Sequence, residues 1–294
     1  GIIVPFRTSN SSKAYKSVWT PEGSPLIVLT QQLKQALEQI IDEPVEIAMR
    51  YGSYKPQEAY DALLARSPEI EEVIVVPLYP HFAMSSYETA AEYAKLAYKK
   101  GKYKFKLKVV APFYDNPLYI DALAESIKPF LAEEFDHILF SYHGIPARHI
   151  HLNDPEALKI CLASPGGCAP GSDGYESCYK RQVFVTTDLV MKQLNIPEEK
   201  YSIAFQSRLG KGWLEPFTDQ TLKAMPEKGI KKLLVLCPAF ISDCLETLEE
   251  IAEEGKKEFL SAGGETYKMI PCLNVHPKWV ETLKVLLNGD YLAD

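Results

Sequence analysis

Three glutamates spaced four residues apart are the side chains of this sequence best suited to bind a cation. Glu246, Glu250 and Glu254 lie in the segment CLETLEEIAEE, and an α-helix would place them on one face. Like charges at this spacing repel one another, so the pattern has two interpretations. It is either a solvated face, neutralised by the nearby Lys256 and Lys257, or a row of oxygen ligands for a divalent cation.

A histidine at the end of an apolar run is the candidate for acid–base chemistry. His143 closes the segment HILFSYH and is followed by Gly144 and Pro146, which end the strand. Because the unperturbed pKa of histidine is about 6.5, a side chain at this position can act as a base or a metal ligand near neutral pH. A purely structural histidine is the alternative.

Three of the six cysteines, Cys161, Cys168 and Cys178, fall within one segment. Six cysteines in 294 residues do not make a disulfide scaffold. In a reducing compartment such a cluster predicts a metal site, and thiolates suit both zinc and an iron–sulfur cluster. The spacing leaves the choice of metal open.

Short apolar strands that alternate with helices must position these side chains. Continuous apolar strands separated by helical stretches predict an α/β fold with parallel sheets covered on both faces. One sheet and two smaller sheets, with a break near residues 130–136, are both compatible with the pattern. The predicted strands are 45–51, 71–79, 106–114, 137–143, 201–207, 231–240 and 267–274, and the predicted helices include 56–67, 87–100, 119–133 and 242–260.

The strand-to-helix junctions are the places to expect a site, because ligands of open α/β sheets bind at the carboxyl ends of the strands. These junctions carry His143, the glutamates and several aromatic side chains, including Trp213 in the loop FQSRLGKGWLEP. Together they predict a cleft for a flat, aromatic, metal-binding substrate.

The composition limits the class of protein. With 294 residues, of which 46% are hydrophobic, the chain can form one long domain or two compact ones. A net charge of -7 argues against a nucleic-acid partner. No apolar stretch approaches the roughly 20 residues that span a bilayer, and the opening GIIVPFRTSN lacks the features of a signal peptide. We therefore expect a cytoplasmic protein, with a peripheral membrane contact left open.

Three motifs together resemble ferrochelatase in its Gram-negative bacterial form: YHGIP, FQSR followed by WLEPFTDQTL, and CPAFISDCLETLEEI. The resemblance extends over essentially the whole chain. It implies the chelatase fold, in which two Rossmann-like domains, each with a four-stranded parallel sheet, hold a porphyrin in the cleft between them. We place these domains at residues 1–133 and 134–294, with a cysteine-bearing insertion at 152–178 and a C-terminal helix in the second.

The implied activity is insertion of Fe(II) into protoporphyrin IX to form protohaem, the last step of haem biosynthesis. A non-catalytic porphyrin or haem carrier, and a chelatase for another tetrapyrrole such as coproporphyrin, are the alternatives.

The resemblance also implies roles for individual residues. His143 and Glu246 match the catalytic pair of the metal site, where the histidine accepts pyrrole protons, binds iron, or does both. Asp243, Glu250 and Glu254 match the acidic metal-binding row beside it. The polar and aromatic residues that match the porphyrin pocket are Arg7, Tyr15, Ser24, Arg50, Trp213 and Phe240.

Two further expectations follow from the family. Members with a cysteine-bearing insertion after HGIP resemble this chain, and some ferrochelatases carry a 2Fe-2S cluster, which favours such a cluster over zinc at Cys161, Cys168 and Cys178. Cys272 is the predicted fourth ligand, because a cluster-free relative would have alanine there; the alternative is a small core residue. Members also begin with a strand and a lip upstream of IIVPFR, so we expect the first domain of this chain to lack one strand and part of the porphyrin cover.

Overall fold

The structure is a computed structural model that describes residues 17–150, 155–164, 166–168, 177–288 and 292–293. Two β-sheets lie within these residues. In the first sheet, β1 (Glu72–Val75) runs parallel to β2 (Lys106–Val110). The other neighbour of β2 is the antiparallel strand Leu292–Ala293, which returns from the end of the chain.

The second sheet consists of four parallel strands, β3 (His137–His143), β4 (Tyr201–Gln206), β5 (Lys232–Leu236) and β6 (Thr266–Met269), so that Leu292–Ala293 is β7. The strand order is β4-β3-β5-β6. Strand β3 is buried along its whole length except at its last residue, His143, which is half-buried and pairs in register with Gln206. The interior of the sheet therefore delivers His143 to its carboxyl edge.

The helices of the first half start where proline favours them. Proline occupies the first helical position in three of these four helices, where its fixed backbone angle suits a helix start. The elements are α1 (Pro25–Glu38), α2 (Pro56–Arg66), α3 (Thr89–Gly101), which follows the π-helical turn Met84–Glu88, and α4 (Pro117–Ile127), which continues into the 3-10 turn Lys128–Ala132.

The helices of the second half lie between and after the strands of the four-stranded sheet, and the last of them packs against helices of the first half. One of them changes type along its length, because the π-helical stretch Leu248–Gly255 separates α8 from α9. The elements are α5 (Pro155–Ala163), α6 (Tyr179–Gln193), α7 (Thr218–Ala224), α8 (Leu245–Thr247), α9 (Lys256–Ser261) and α10 (Pro277–Leu286), with 3-10 turns at Ala147–His149, Glu198–Lys200 and Pro226–Lys228.

One hydrophobic core joins the two halves. It contains buried side chains next to both sheets, among them Val110, Phe113, Phe140 and Trp279. The ring of Trp279, on α10, stacks on that of Phe113 with 5.5 Å between centroids. The end of the chain therefore packs with the first half, across the boundary predicted at residues 133 and 134.

The structure confirms the α/β fold with two sheets, and it confirms every predicted strand except the first. Residues 45–51 form no strand, because their backbone groups bond elsewhere: Val45 N donates to Glu38 Oε1 (3.2 Å) and Met49 N to the carbonyl of Tyr54 (2.7 Å). Within the described residues, only the second sheet has the four parallel strands that the resemblance implies. No helix in this part of the chain is long and apolar enough to cross a membrane.

Candidate active site

The turn after β3 fixes the position of His143. Gly144 N donates to the carbonyl of Gln206 at 2.8 Å. A Cβ at residue 144 would lie only 2.8 Å from that same oxygen, so the close approach of the two strand ends requires glycine. His143 is thereby held at the carboxyl edge of the sheet, where the fold predicts a ligand site.

Both the imidazole and the backbone of His143 have defined partners. Its Nδ1 lies 2.6 Å from the carbonyl of Gly144, and its own carbonyl accepts from the hydroxyl of Tyr179 at 2.8 Å. Its ring lies 6.0 Å from that of Phe240. Because a carbonyl can only accept, Nδ1 carries the hydrogen, which leaves Nε2 as the nitrogen able to take a proton or bind a metal.

Glu250 is the carboxylate whose surroundings are best defined. Its two oxygens accept from the backbone N–H (2.7 Å) and the hydroxyl (2.5 Å) of Ser207. Ser207 has a φ of +61°, an uncommon left-handed conformation for a residue with a side chain. Burial raises the pKa of Glu250, and the bonds from Ser207 and the nearby charge of His143 offset part of that rise.

Glu246 lies in the first turn of α8, next to the end of β4. Its carbonyl accepts from the side-chain amide of Gln206 at 2.7 Å. Burial raises the pKa of the Cys244 thiol, and the adjacent Glu246 raises it further. Burial also raises the pKa of Tyr79, on which Glu246 acts in the same direction and Arg50 in the opposite one.

Asp243 is buried and its carboxylate holds neighbouring segments together. One oxygen accepts from the hydroxyl of Thr247 (2.9 Å) and the other from the amide of Asn274 (2.7 Å). The backbone N–H of Asp243 donates in return to Asn274 Oδ1 at 2.8 Å. Asp243 thus fixes the start of α8 against the loop after β6, and its metal ligation stays a prediction.

The predicted α-helical spacing of the glutamates is wrong over Leu248–Gly255, where the helix is π-helical. The hydroxyl of Tyr267 donates to the carbonyl of Ile251 at 2.7 Å, and such an outside donor disturbs the regular helical bonding. Glu249 and Glu254 become neighbours, as the pKa of Glu249 shows: burial raises it first and the charge of Glu254 next.

A cavity of about 470 Å³ opens beside this helix. Carboxylates and hydroxyls dominate its polar lining. Its polar lining side chains belong to Gln206, Ser207, Arg208, Thr218, Asp219, Glu250, Glu254 and Glu258. Two of the three predicted glutamates, Glu250 and Glu254, therefore share one cavity, although the helix is wider than predicted.

Two of the predicted porphyrin residues flank His143. Phe240 contacts its ring, and Trp213 packs over Gly144, where an added Cβ would meet the indole at 3.4 Å. Arg50 lies in the first half of the chain, and its guanidinium sits over the ring of Tyr51 at 4.8 Å. Ser24 precedes α1, and Arg7 and Tyr15 lie outside the described residues.

The three clustered cysteines meet in space. The sulfur atoms of Cys161, Cys168 and Cys178 all lie within 4.8 Å of one another and are buried. Cys161 and Cys178 are 3.4 Å apart, and their contact lowers the pKa of Cys178 to about 5 and raises that of Cys161. Three converging thiols, one of them readily ionised, are a suitable donor set for a thiolate-bound metal.

Cys272 does not belong to this group, which corrects the prediction that it is the fourth ligand. Its sulfur faces the carbonyl of Cys237 at 4.0 Å, and its N–H lies 3.4 Å from Asp243. It packs in a different hydrophobic cluster, on the side of β5 and β6, and burial raises the pKa of its thiol well above the usual value. Cys272 is the small core residue of the alternative interpretation.

Comparison with known proteins gives a consistent result at the level of sequence. A family model described as ferrochelatase matches residues 1–290. The chain is 42% identical over 290 residues to the ferrochelatase of Ectopseudomonas mendocina (strain ymp), covering 97% of this chain and 84% of that protein. It is 43% identical over 282 residues to the ferrochelatase of Pseudomonas putida KT2440, covering 94% and 82%.

Solved structures with the same arrangement include two SirB proteins. SirB from Bacillus subtilis with Fe³⁺ superposes with a TM-score of 0.59 at 13% identity, covering 90% of this chain and 92% of that one. The cobalt complex of the sirohydrochlorin chelatase SirB from Bacillus subtilis subspecies spizizenii gives 0.58 at 11% identity. At such low identity the likeness establishes the fold alone.

Proposed function

This chain belongs to the ferrochelatase family, the enzymes that insert ferrous iron into a porphyrin, and we propose that its porphyrin is protoporphyrin IX and its product protohaem. One observation supports the assignment of the site within the fold: His143 pairs in register with Gln206, the next residue Ser207 holds the Glu250 carboxylate, and the ring of Phe240 lies 6.0 Å from that of His143. A base, an acidic cavity and an aromatic surface are thus combined at one edge of the sheet.

His143 is the proposed acceptor of the pyrrole protons. A free porphyrin carries two N–H protons inside a rigid ring, and both must leave before a metal can bind. Because Nδ1 of His143 is engaged by the carbonyl of Gly144, Nε2 is available as the base. Phe240 and Trp213 supply apolar area that can hold the ring against this nitrogen.

The carboxylates are the proposed route for the substrate iron. Oxygen and imidazole ligands both suit a divalent metal, and Glu250 and Glu254 line the same cavity. Glu246, in the first turn of α8 at the same edge, completes the proposed metal row with Asp243 behind it. The bonds from Ser207 keep the Glu250 carboxylate in place while a cation or proton moves past it.

Anaerobic incubation with Fe(II) and porphyrin tests the substrate assignment. Haem formation quenches porphyrin fluorescence, so we expect fast quenching with protoporphyrin IX and slower quenching with coproporphyrin. Tight binding of protoporphyrin without quenching would instead identify a porphyrin carrier. Faster turnover of coproporphyrin would reassign the substrate and leave the family membership unchanged.

We also propose that Cys161, Cys168 and Cys178 bind a 2Fe-2S cluster. The convergence of the three buried thiols supports a resident metal there, and the resemblance to members with an insertion after HGIP favours iron over zinc. All six cysteines lie in the described residues, and the other three have different surroundings: Cys237 and Cys272 belong to the hydrophobic cluster on the side of β5 and β6, and Cys244 caps α8. The fourth ligand is therefore not a cysteine.

Anaerobically purified protein should be reddish-brown and contain iron and acid-labile sulfide. We expect Cys178→Ser to lose the charge-transfer absorption, whereas Cys272→Ser, a matched thiol in the same fold, should keep it. Colourless protein with stoichiometric zinc would replace the cluster by a zinc site. Loss of the colour in both variants would mean that the thiols of the two groups are not distinguished as proposed.

The proposed setting is the cytoplasm, with the cleft against a membrane surface that supplies the apolar porphyrin. Two aromatic side chains support the contact, because Trp19 and Tyr51 are 55% and 79% exposed and such rings favour membrane interfaces. Sedimentation with lipid vesicles tests this, and Tyr51→Ser should weaken the binding. Equal binding of wild type and Tyr51→Ser to the vesicles would contradict a membrane contact through this ring.

A further inference from the structure

We propose that Tyr179 is a positioning residue that couples the three-cysteine group to His143, so that a metal held by the thiols also fixes the imidazole of the active site. This inference rests on the proposed roles of His143 and of the cysteines. Three sets of contacts carry it, all of them at the first turn of α6.

The first contact joins Tyr179 to β3, the strand that ends at His143. Its hydroxyl donates to the carbonyl of His143 at 2.8 Å, and its ring is buried. His81 packs edge-on against that ring with 6.0 Å between centroids and bonds in turn to Thr186 on the same helix at 3.0 Å. Tyr179 therefore cannot change its bond to His143 without movement of α6 itself.

The second contact joins the same turn to the thiols. Cys178 is the residue just before α6, and its sulfur both accepts from Arg181 N (3.5 Å) and lies 3.4 Å from Cys161. A metal that fixes Cys178 therefore fixes the N-terminal end of α6, and Tyr179 is the next residue along the chain.

The third set of contacts ties the other two cysteine segments to this turn. The buried ammonium of Lys180 donates to the carbonyls at the end of α5, those of Cys161, Leu162 and Ser164, at 3.2, 3.3 and 2.6 Å, where the helix dipole favours a cation. Gly167, beside Cys168, has a φ of +80°, and a Cβ there would lie 2.8 Å from Arg181 N. All three cysteine-bearing segments thus contact the first turn of α6.

A metal bound to the thiols would affect catalysis by restricting the movement of the His143 backbone. When a metal joins the thiols, the end of α5, the loop at Cys168 and the start of α6 form one rigid unit. The Tyr179 hydroxyl then holds the carbonyl of His143, and with it the backbone from which the imidazole projects. Without the metal, only weak hydrogen bonds join the thiols to one another, and the bonds of Lys180 and the packing at Gly167 are left to hold the turn. The start of α6 is then fixed less tightly.

Tyr179→Phe tests the link without touching a thiol or an active-site side chain. We expect kcat for metal insertion to fall roughly 2- to 12-fold, the range of one ordinary hydrogen bond, with KM for porphyrin unchanged. Tyr142→Phe is the matched control: it removes a buried hydroxyl that bonds to Thr187 at 2.8 Å, and kcat should be retained. Equal kcat values in Tyr179→Phe and wild type would overturn the positioning role.

Coupling to the metal is tested by combining Tyr179→Phe with Cys178→Ser. The metal loss should lower kcat less in the Tyr179→Phe background than in wild type, because the contact through which it acts is already gone. In protein labelled with ¹³C-histidine, the ring signal of His143, assigned with His143→Ala, should shift in both single variants and not in Tyr142→Phe. Chelator-stripped wild type replaces Cys178→Ser if that variant does not fold.

Three outcomes separate the proposals. Independent, multiplicative effects of the two substitutions would overturn the coupling. A wild-type protein without resident metal would remove the cysteine proposal but leave the Tyr179→Phe result valid for His143. An inactive wild type would remove the proposed substrate, whereas the ¹³C signal of His143 would still report on the hydroxyl contact.

Discussion

Two regions lie next to the strand end at His143: the acidic helix, residues 245–261, and the cysteine group formed by Cys161, Cys168 and Cys178. They differ in exposure and in the ligands that they offer. The glutamates line a cavity of about 470 Å³ and present oxygen atoms. The three cysteines are buried and present sulfur atoms that contact one another. A metal that is a substrate must enter and leave, whereas a resident metal must stay. The difference in burial therefore predicts which metal belongs to which region.

The pKa of the main acidic group is shifted in opposite directions in the two regions. Burial raises the pKa of Glu250, because a desolvated carboxylate favours its protonated form. In the cysteine group, contact with Cys161 lowers the pKa of Cys178, which favours the thiolate, the form that binds metals. Transfer of protons suits the first region, and permanent ligation suits the second.

The largest effect on the rate of metal insertion is expected at His143, because the chemical step depends on this side chain and porphyrin binding does not. His143→Ala should lower the rate of metal insertion roughly 100- to 10,000-fold, the usual contribution of a general base. Porphyrin affinity should change little, because apolar and stacking area holds the ring. Fluorescence titration beside the insertion assay measures both. Retention of more than about a tenth of the wild-type rate would contradict the proposed role.

A smaller and graded effect is expected along the acidic helix. Glu246→Gln should be severely defective, whereas Glu250→Gln should be milder and mainly raise the apparent KM for Fe(II). The reason is that Glu246 belongs to the proposed catalytic pair, whereas Glu250 lines the cavity beside this helix and Glu246 does not. Glu249→Gln is the matched control, because Glu249 is absent from the cavity lining. Equal, near-zero effects at 246 and 250 would favour a merely solvated helix face.

The sequence predicted the strands that carry the site because their apolar runs are continuous. β3 begins and ends at the predicted residues, and the glycine that follows it is required by its distance to Gln206. The segment 45–51 has a similar apolar run but finds its bonding partners in Glu38 and a local turn, which no periodicity reveals.

Contacts between distant segments set what the sequence could not predict. The π-helical stretch depends on Tyr267, and the position of Cys272 depends on how β6 packs against β5. Ser207 bonds to Glu250, and Tyr179 bonds to His143. No pattern in the sequence predicts either bond, although Ser207 lies within the FQSR motif. Tyr179 follows a predicted ligand, Cys178, and neighbours of ligands are where such a residue could have been sought.

The smallest effect is expected at Glu254, the last of the three glutamates that the sequence singled out, which also lines the cavity. Glu254→Gln should raise the apparent KM for Fe(II) a few-fold and leave kcat unchanged, because this carboxylate attracts the cation before it reaches His143. Thermal unfolding should also shift upward by about 1 °C, since a like charge beside Glu249 is removed. Initial rates at varied Fe(II) and a melting curve of the same preparation supply both values. A lower kcat at saturating Fe(II) would place Glu254 in the chemical step and erase the distinction between delivery and chemistry along this helix.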